Sequence, residues 1–317
     1  MGPPPASPSV HPAHGVAGSS LRPRGRKTMG GAHPCPCVSL PRLWIDGRGT
    51  EPPIRVGDRC PPPALYFPAV PRRLLPPDYP STMPGLAWLA LQRKPRSFRR
   101  DAQRMLQRLS PPLQAEGPLP DLDQGSWLVV VNHYSRPGFR AWWIAMAISA
   151  TLPREVRWVI TSTLTFPDRL RAQTVTPASR RFLRHAAGLY DFVAMPPMPP
   201  RSFEVAPRAQ AVRRVLRAAS EPHALLGLAP EGGDMLPGGV LAPPPSGSGR
   251  FLWHLAQRGL RFLPVGAFEA DGRFCLRFGP PFDLPPSLPD PIEESAAHIV
   301  MSAIAACLPE RLRGSYA

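Results

Sequence analysis

Two short segments carry side chains that could move a proton. The first is Asn132-His133-Tyr134-Ser135-Arg136-Pro137-Gly138, directly after the apolar run Trp127–Val131, and the second is Pro230-Glu231-Gly232-Gly233-Asp234, directly after Ala224–Ala229. An unperturbed imidazole titrates close to working pH, so His133 can take the proton of an attacking hydroxyl. A base of this kind needs a carboxylate to fix its tautomer and stabilise the imidazolium; losing one costs about 10⁴-fold in rate in serine hydrolases. Asp234, Asp191 and Glu231 are the carboxylates that could serve. Arg136 can grip a phosphate through a bidentate pair. A lone histidine after a strand is more often a hydrogen-bonded loop residue, and Pro-Glu-Gly alone is a common turn. The weight comes from the two segments occurring in equivalent places. The Ser/Gly run at 246–249 has neither the Gly-x-Ser-x-Gly elbow of hydrolases nor the Gly-Lys of a phosphate loop.

The elements around them set where these residues stand. Trp127–Val131 reads as a buried parallel strand. A helix near 139–151, a strand at 156–161, a helix near 177–187 and an extended piece at 189–193 follow. Next come a helix at about 204–219, a strand at 224–229, a Gly/Pro loop, a helix at 250–258, strands at 261–268 and 274–278, and a helix at about 291–307. This alternation predicts an α/β domain: a mostly parallel central sheet with helices on both faces. Sites in such sheets lie in the loops at the carboxyl ends of strands, and both segments fall there.

Order and spacing resemble the lysophospholipid and glycerol-phosphate acyltransferases. Their first motif is Asn-His, four residues, then Asp; Asn132, His133 and Ser135 match it, and Gly138 stands where the aspartate belongs. Ala229-Pro230-Glu231-Gly232 matches part of their Phe-Pro-Glu-Gly-Thr-Arg motif, with Gly233-Asp234 in place of Thr-Arg, about 100 residues further on. Leu263-Pro264-Val265 corresponds to their Val-Pro-Val-like strand. The arginine that follows a glycine in their second motif has no counterpart near Gly188. The resemblance implies transfer of an acyl group from an acyl-CoA or acyl carrier protein thioester, a co-substrate rather than a bound cofactor, to a hydroxyl of a lipid-like acceptor. It assigns His133 as general base, and Asp234 as the first-ranked orienting carboxylate because the third-motif loop packs beside the histidine in that family. Asn132, Ser135, Arg136, Pro230, Glu231 and Gly232 are the substrate-binding residues it implies, Glu231 on the acceptor. With Gly138 in the aspartate's place, the alternative is a lapsed member that binds lipid or acyl groups without transfer.

Composition bounds the rest. The chain has 317 residues, of which 48 are proline, and a net charge of +16 carried almost wholly by arginine. Prolines crowd residues 1–80, which reads as a largely disordered, dispensable leader; 81–125 reads as a helical segment and linker, and 126–317 as the α/β domain. The prolines from Pro3 to Pro12 break any apolar signal run. His33, Cys35 and Cys37 lack a second ligand pair, so no metal site is expected. No apolar run reaches the roughly 18–20 residues of a membrane span. The basic segment 93–109 reads as an amphipathic helix that caps the domain or touches a membrane, and Ala141–Leu152 as a buried core helix. The charge fits an anionic membrane surface, and without interleaved aromatics or a recognition helix no nucleic-acid partner is expected. These features predict a cytoplasmic protein, peripheral at the inner membrane surface.

Overall fold

The computed structural model describes residues 77–79, 89–166, 168–233 and 237–317, all within the compact unit Phe67–Ala317. Residues 1–76 and 80–88 and Asp234 lie outside the described residues.

Seven strands form one sheet in the order β1-β7-β6-β2-β5-β3-β4. They are β1 (Gln114–Glu116), β2 (Ser126–Val131), β3 (Arg157–Thr161), β4 (Val193–Met195), β5 (Leu225–Leu228), β6 (Leu260–Ala270) and β7 (Arg273–Phe278). β6, β2, β5, β3 and β4 run parallel, while β7 turns back antiparallel on β6 and β1 runs with β7. The strand at the centre is β2, whose Trp127 to Val131 are all buried, as expected for a strand covered on both faces.

Helices fully within the described residues connect the strands or flank them: α1 (Phe98–Leu106), α2 (Trp142–Thr151), α3 (Arg169–Tyr190), α4 (Val205–Ala219), α5 (Ser248–Ala256) and α6 (Ile292–Ala306). Right-handed crossovers from β2 through α2 to β3 and from β3 through α3 to β4 put those helices on one face, while α4 and α5, whose crossovers run the opposite way along the sheet, lie on the other. Gly227 in β5 keeps its strand close to β3. A side chain there would begin 2.7 Å from the Trp158 ring, whose indole N–H donates to Ser149 at 2.9 Å.

Besides β1, a sheet strand inside the segment expected as linker, the structure departs from the expected elements at two places. Helix α3 begins near 169 rather than 177, because the Asp168 side chain caps it by accepting from Arg171 N at 2.9 Å and Pro177 then sits inside the helix on a solvent-exposed stretch. It also runs on to Tyr190, where Asp191 ends it in the left-handed conformation, so the extended piece moves from 189–193 to β4. The second departure is at the leader boundary. Asp78 exchanges backbone hydrogen bonds with Ser110, and the Tyr79 ring packs 5.1 Å from Trp143 and 5.5 Å from Phe139. Residues 77–79, placed by the sequence reading in the leader, thus pack on the α/β domain.

Helix α1 resolves the alternatives open for the basic segment. Its apolar side is used on the protein, with Phe98 against Tyr190 and Phe192, Ala102 buried, and Arg99 donating to the Leu152 carbonyl at 2.7 Å. It is a cap. Helix α2 is the buried helix expected, with Trp143, Ile144, Ala147 and Ile148 in the core. Among the described residues no helix is long and apolar enough to cross a membrane.

Candidate active site

β2 lies between β5 and β6, with Val130 level with Leu228 on one side and Val131 level with Val265 on the other. The loops that follow β2 and β5 therefore leave the sheet side by side. His133, partly exposed, stands two residues past β2, and Glu231 three residues past β5. The Glu231 carboxylate accepts a hydrogen bond from the backbone N–H of His133 through one oxygen, and from the N–H of Ala242 at 2.7 Å through the other. The two segments singled out in the sequence meet at this contact.

Glu231 is 2% exposed, and both oxygens receive main-chain donors. Through these two bonds it joins three segments, the β2 loop, the β5 loop and the stretch at 242. Asn132 is also held by the main chain. It is 1% exposed, and its amide donates to the Ala267 carbonyl at 2.9 Å while accepting from the Ala267 N–H at 2.7 Å. The side chain thereby continues the β2–β6 ladder past the last strand residue. It fixes where His133 starts.

Arg136 is also committed. Its guanidinium forms a two-point ion pair with Glu269 near the end of β6, one contact at 2.7 Å, and its remaining nitrogen donates to the Pro137 carbonyl at 2.8 Å. Glu269 further accepts from the Tyr79 hydroxyl at 2.7 Å and the Tyr134 hydroxyl at 3.3 Å. Bonding to Glu269 raises the Arg136 pKa above its ordinary value. Burial, reinforced by the Glu269 charge, pushes Tyr134 up to about 12. The phosphate contact expected of Arg136 is occupied by a carboxylate of the protein itself.

The remaining sequence candidates divide. Ser135 is part-exposed beside His133, Pro230 is buried, and Gly232 is exposed with a positive φ of 72° on the same turn as Glu231. Asp191 is excluded as a partner for the histidine: it pairs with Arg157, the first residue of β3, which puts it at the opposite, amino edge of the sheet. Gly138, in the place of the missing aspartate, has φ 84°. Asp234 lies outside the described residues.

Sequence reasoning missed the cluster of Tyr79, Tyr134 and Glu269. Glu269 offered one signal, as the charge that interrupts the buried run Phe262–Phe268 just before a strand turn, whereas Tyr79 was masked by the prolines around it. Among the described residues, no three of His, Cys, Asp and Glu converge where they could hold a metal. Among the described residues, one cleft of about 530 Å³ is lined by Pro245, Glu293 and His298, and another of about 390 Å³ by Pro264, Phe282 and Ile299.

No protein-family model matches the chain, and no curated protein matches it. A search of solved structures finds likeness to the crystal structure of the 1-acyl-sn-glycerophosphate (LPA) acyltransferase PlsC from Thermotoga maritima, at a TM-score of 0.43 and 15% identity. The likeness covers 64% of this chain and 75% of that one.

Proposed function

We propose that this protein is an acyltransferase that moves an acyl group from an acyl-CoA or acyl carrier protein thioester to a hydroxyl of a lipid-like acceptor. The observation that carries the reading is the hydrogen bond from His133 N–H to the Glu231 carboxylate, which holds an Asn-His loop and a Pro-Glu-Gly loop together at the carboxyl ends of adjacent strands.

In this reading His133 removes the proton of the acceptor hydroxyl as its oxygen attacks the thioester carbonyl. The carbon–sulfur bond then breaks and the thiolate leaves, taking up a proton. Glu231 and Asn132 act through the backbone by fixing the position of His133. Asp234, three residues past the fixed Glu231, can lie up to about 10 Å from it along an extended chain, and is the carboxylate proposed to orient the imidazole. Ser135 and Gly232 line the approach. The protein works in the cytoplasm at the inner membrane surface.

A second reading has its own support. Gly138 replaces the motif carboxylate, and Arg136 is neutralised by Glu269, so a lapsed protein that holds lipid or acyl groups without transfer is the alternative. One experiment separates the two: incubate the purified protein with several acyl thioesters and a lipid panel and identify any new ester by mass. Transfer that disappears in His133→Ala supports the enzyme, while thioester binding with no ester from any pair supports the lapsed protein.

A further inference from the structure

The edge of the sheet that bears His133 also bears most of the exposed large hydrophobic residues among those described. Eight large hydrophobic residues among those described are exposed, and six of them, Trp142, Leu164, Leu170, Val175, Phe203 and Val205, lie on segments that leave the carboxyl ends of β2, β3 and β4. Single exposed apolar residues are ordinary; their collection on one edge is not. The first half of α3 is the clearest case. From Arg169 to Ala178 every residue but Thr176 is exposed, and the buried positions of the helix come only at Ala186, Ala187 and Leu189. At about 1.5 Å per residue, some 15 Å of helix projects past the core with Leu170, 72% exposed, near its tip. Phe203, 70% exposed, and Val205, 68% exposed, stand at the start of α4.

Cations are interleaved with these side chains. Arg140 lies over Trp142, Arg171 over Phe166 and Arg201 over Phe203, at 5.3–5.9 Å, and Arg169 is exposed beside Leu170. Aliphatic and aromatic groups mixed with arginine suit the boundary between lipid headgroups and acyl chains. By contrast, α1 has the arginines but spends its apolar side on the core.

We infer that this rim is the face by which the protein lies on an anionic lipid bilayer. Leu170 and Phe203 enter the acyl boundary, and Arg140, Arg169 and Arg201 meet headgroup phosphates. The inference rests on the lipid-like acceptor proposed above and adds an orientation to it. The sheet edge that bears His133 then faces the bilayer, so an acceptor hydroxyl has a short path to it from the membrane.

The test uses the full chain and sedimentation with phosphatidylcholine vesicles, with and without phosphatidylglycerol. Leu170→Glu combined with Phe203→Glu is expected to lower partitioning onto anionic vesicles by about tenfold or more, by removing both the apolar insertion and its charge match. Its melting curve should stay as in the wild type, since both side chains are in solvent. Arg100→Glu with Arg104→Glu on α1 should change partitioning by less than about threefold, as these arginines offer screened charge with no exposed apolar group beside it. Wild-type binding by the rim variant overturns the inference, as do equal binding to neutral vesicles and a greater loss in the α1 variant. A DNA duplex that binds wild type and rim variant alike and strips both from vesicles overturns it in favour of a general polyanion surface. The assay involves no turnover. Rim-dependent binding without acyl transfer leaves the inference standing and removes the enzyme, and transfer to a soluble acceptor without rim-dependent binding does the reverse.

Discussion

Arg136, in the loop that carries His133, is tied to Glu269 near the far end of β6 through two hydrogen-bonded contacts in a largely buried setting. The pair joins the candidate catalytic loop to the central sheet, and Glu269 recruits Tyr79 and Tyr134 to the same carboxylate. Glu269→Ala would leave the guanidinium without its charge partner and two hydroxyls without an acceptor. A loss of about 3 kcal/mol is expected in urea unfolding. Arg136→Met with Glu269→Met should cost less than Glu269→Ala, because no unpaired charge remains. A double variant less stable than Glu269→Ala would show that the pair contributes more than compensation of its own burial.

The same cluster sets where the chain can be shortened. A chain beginning at Phe67 keeps Tyr79 and should melt close to full length. One beginning at Ser81 loses the Tyr79 ring from between Phe139, Trp143 and Phe274 and the backbone pair of Asp78 with Ser110. Removing a packed aromatic costs about 3 kcal/mol or more, so thermal melts of the two chains should differ by several degrees. Equal melting would mean that residues 77–79 only rest on the surface.

Most of the α/β order was legible because its signals are local: β2 is a run of five apolar residues, and α4 repeats its apolar side every three or four positions. Pro177 misled in α3 because proline marks the first turn of many helices, and only the Asp168 cap nine residues upstream would have moved the start. The meeting of His133 with Glu231 followed from strand ends sharing an edge, a rule of topology. The partners of Asn132, Glu231 and Arg136 within the fold did not follow. Whether a polar side chain faces substrate or is spent on a backbone amide or a distant carboxylate depends on which residue arrives from elsewhere in the chain. Ala242, Ala267 and Glu269 are more than ten residues away from their partners along the sequence, and nothing near the motifs announces them.

Ionisation of the tyrosines gives a pH test. Tyr134, whose ordinary pKa is 10, titrates at about 12 in the folded chain, chiefly through burial and then through the charge of Glu269. Tyr79 is raised as well, first by burial and then by its hydrogen bond to Glu269. A folded-state value above the unfolded one means the contribution to stability is complete below pH 10 and is lost as pH rises toward 12. The urea midpoint should therefore fall between pH 10 and 12, less steeply in Tyr134→Phe. Phenolate absorbance should appear late, with a fraction of the tyrosines silent until unfolding. Full ionisation near pH 10 with the fold intact would contradict this environment.

Gly138 decides what became of the motif aspartate. Its φ of 84° lies in the left-handed region, where any residue with a Cβ is strained by about 1–2 kcal/mol, although Asp and Asn tolerate it best. Space is not the obstacle, since a Cβ would meet Arg136 Nη1 at 3.5 Å, an ordinary contact. The backbone is the obstacle, and a new carboxylate here would also compete with Glu269 for Arg136. Gly138→Asp is thus expected to lower stability by about 1 kcal/mol and to leave acyl transfer unchanged or reduced. Gly138→Asn separates the two causes, because it shares the backbone strain and lacks the charge: equal losses in Asp and Asn point to the angle, and a larger loss in Asp points to Arg136. Asp234→Asn completes the set. If Asp234 orients His133, turnover should fall by hundreds-fold or more with the melting temperature unchanged, as in hydrolases stripped of the equivalent carboxylate. A Gly138→Asp chain that is as stable as wild type and transfers acyl groups ten times faster would refute the backbone account and show that the position is simply vacant.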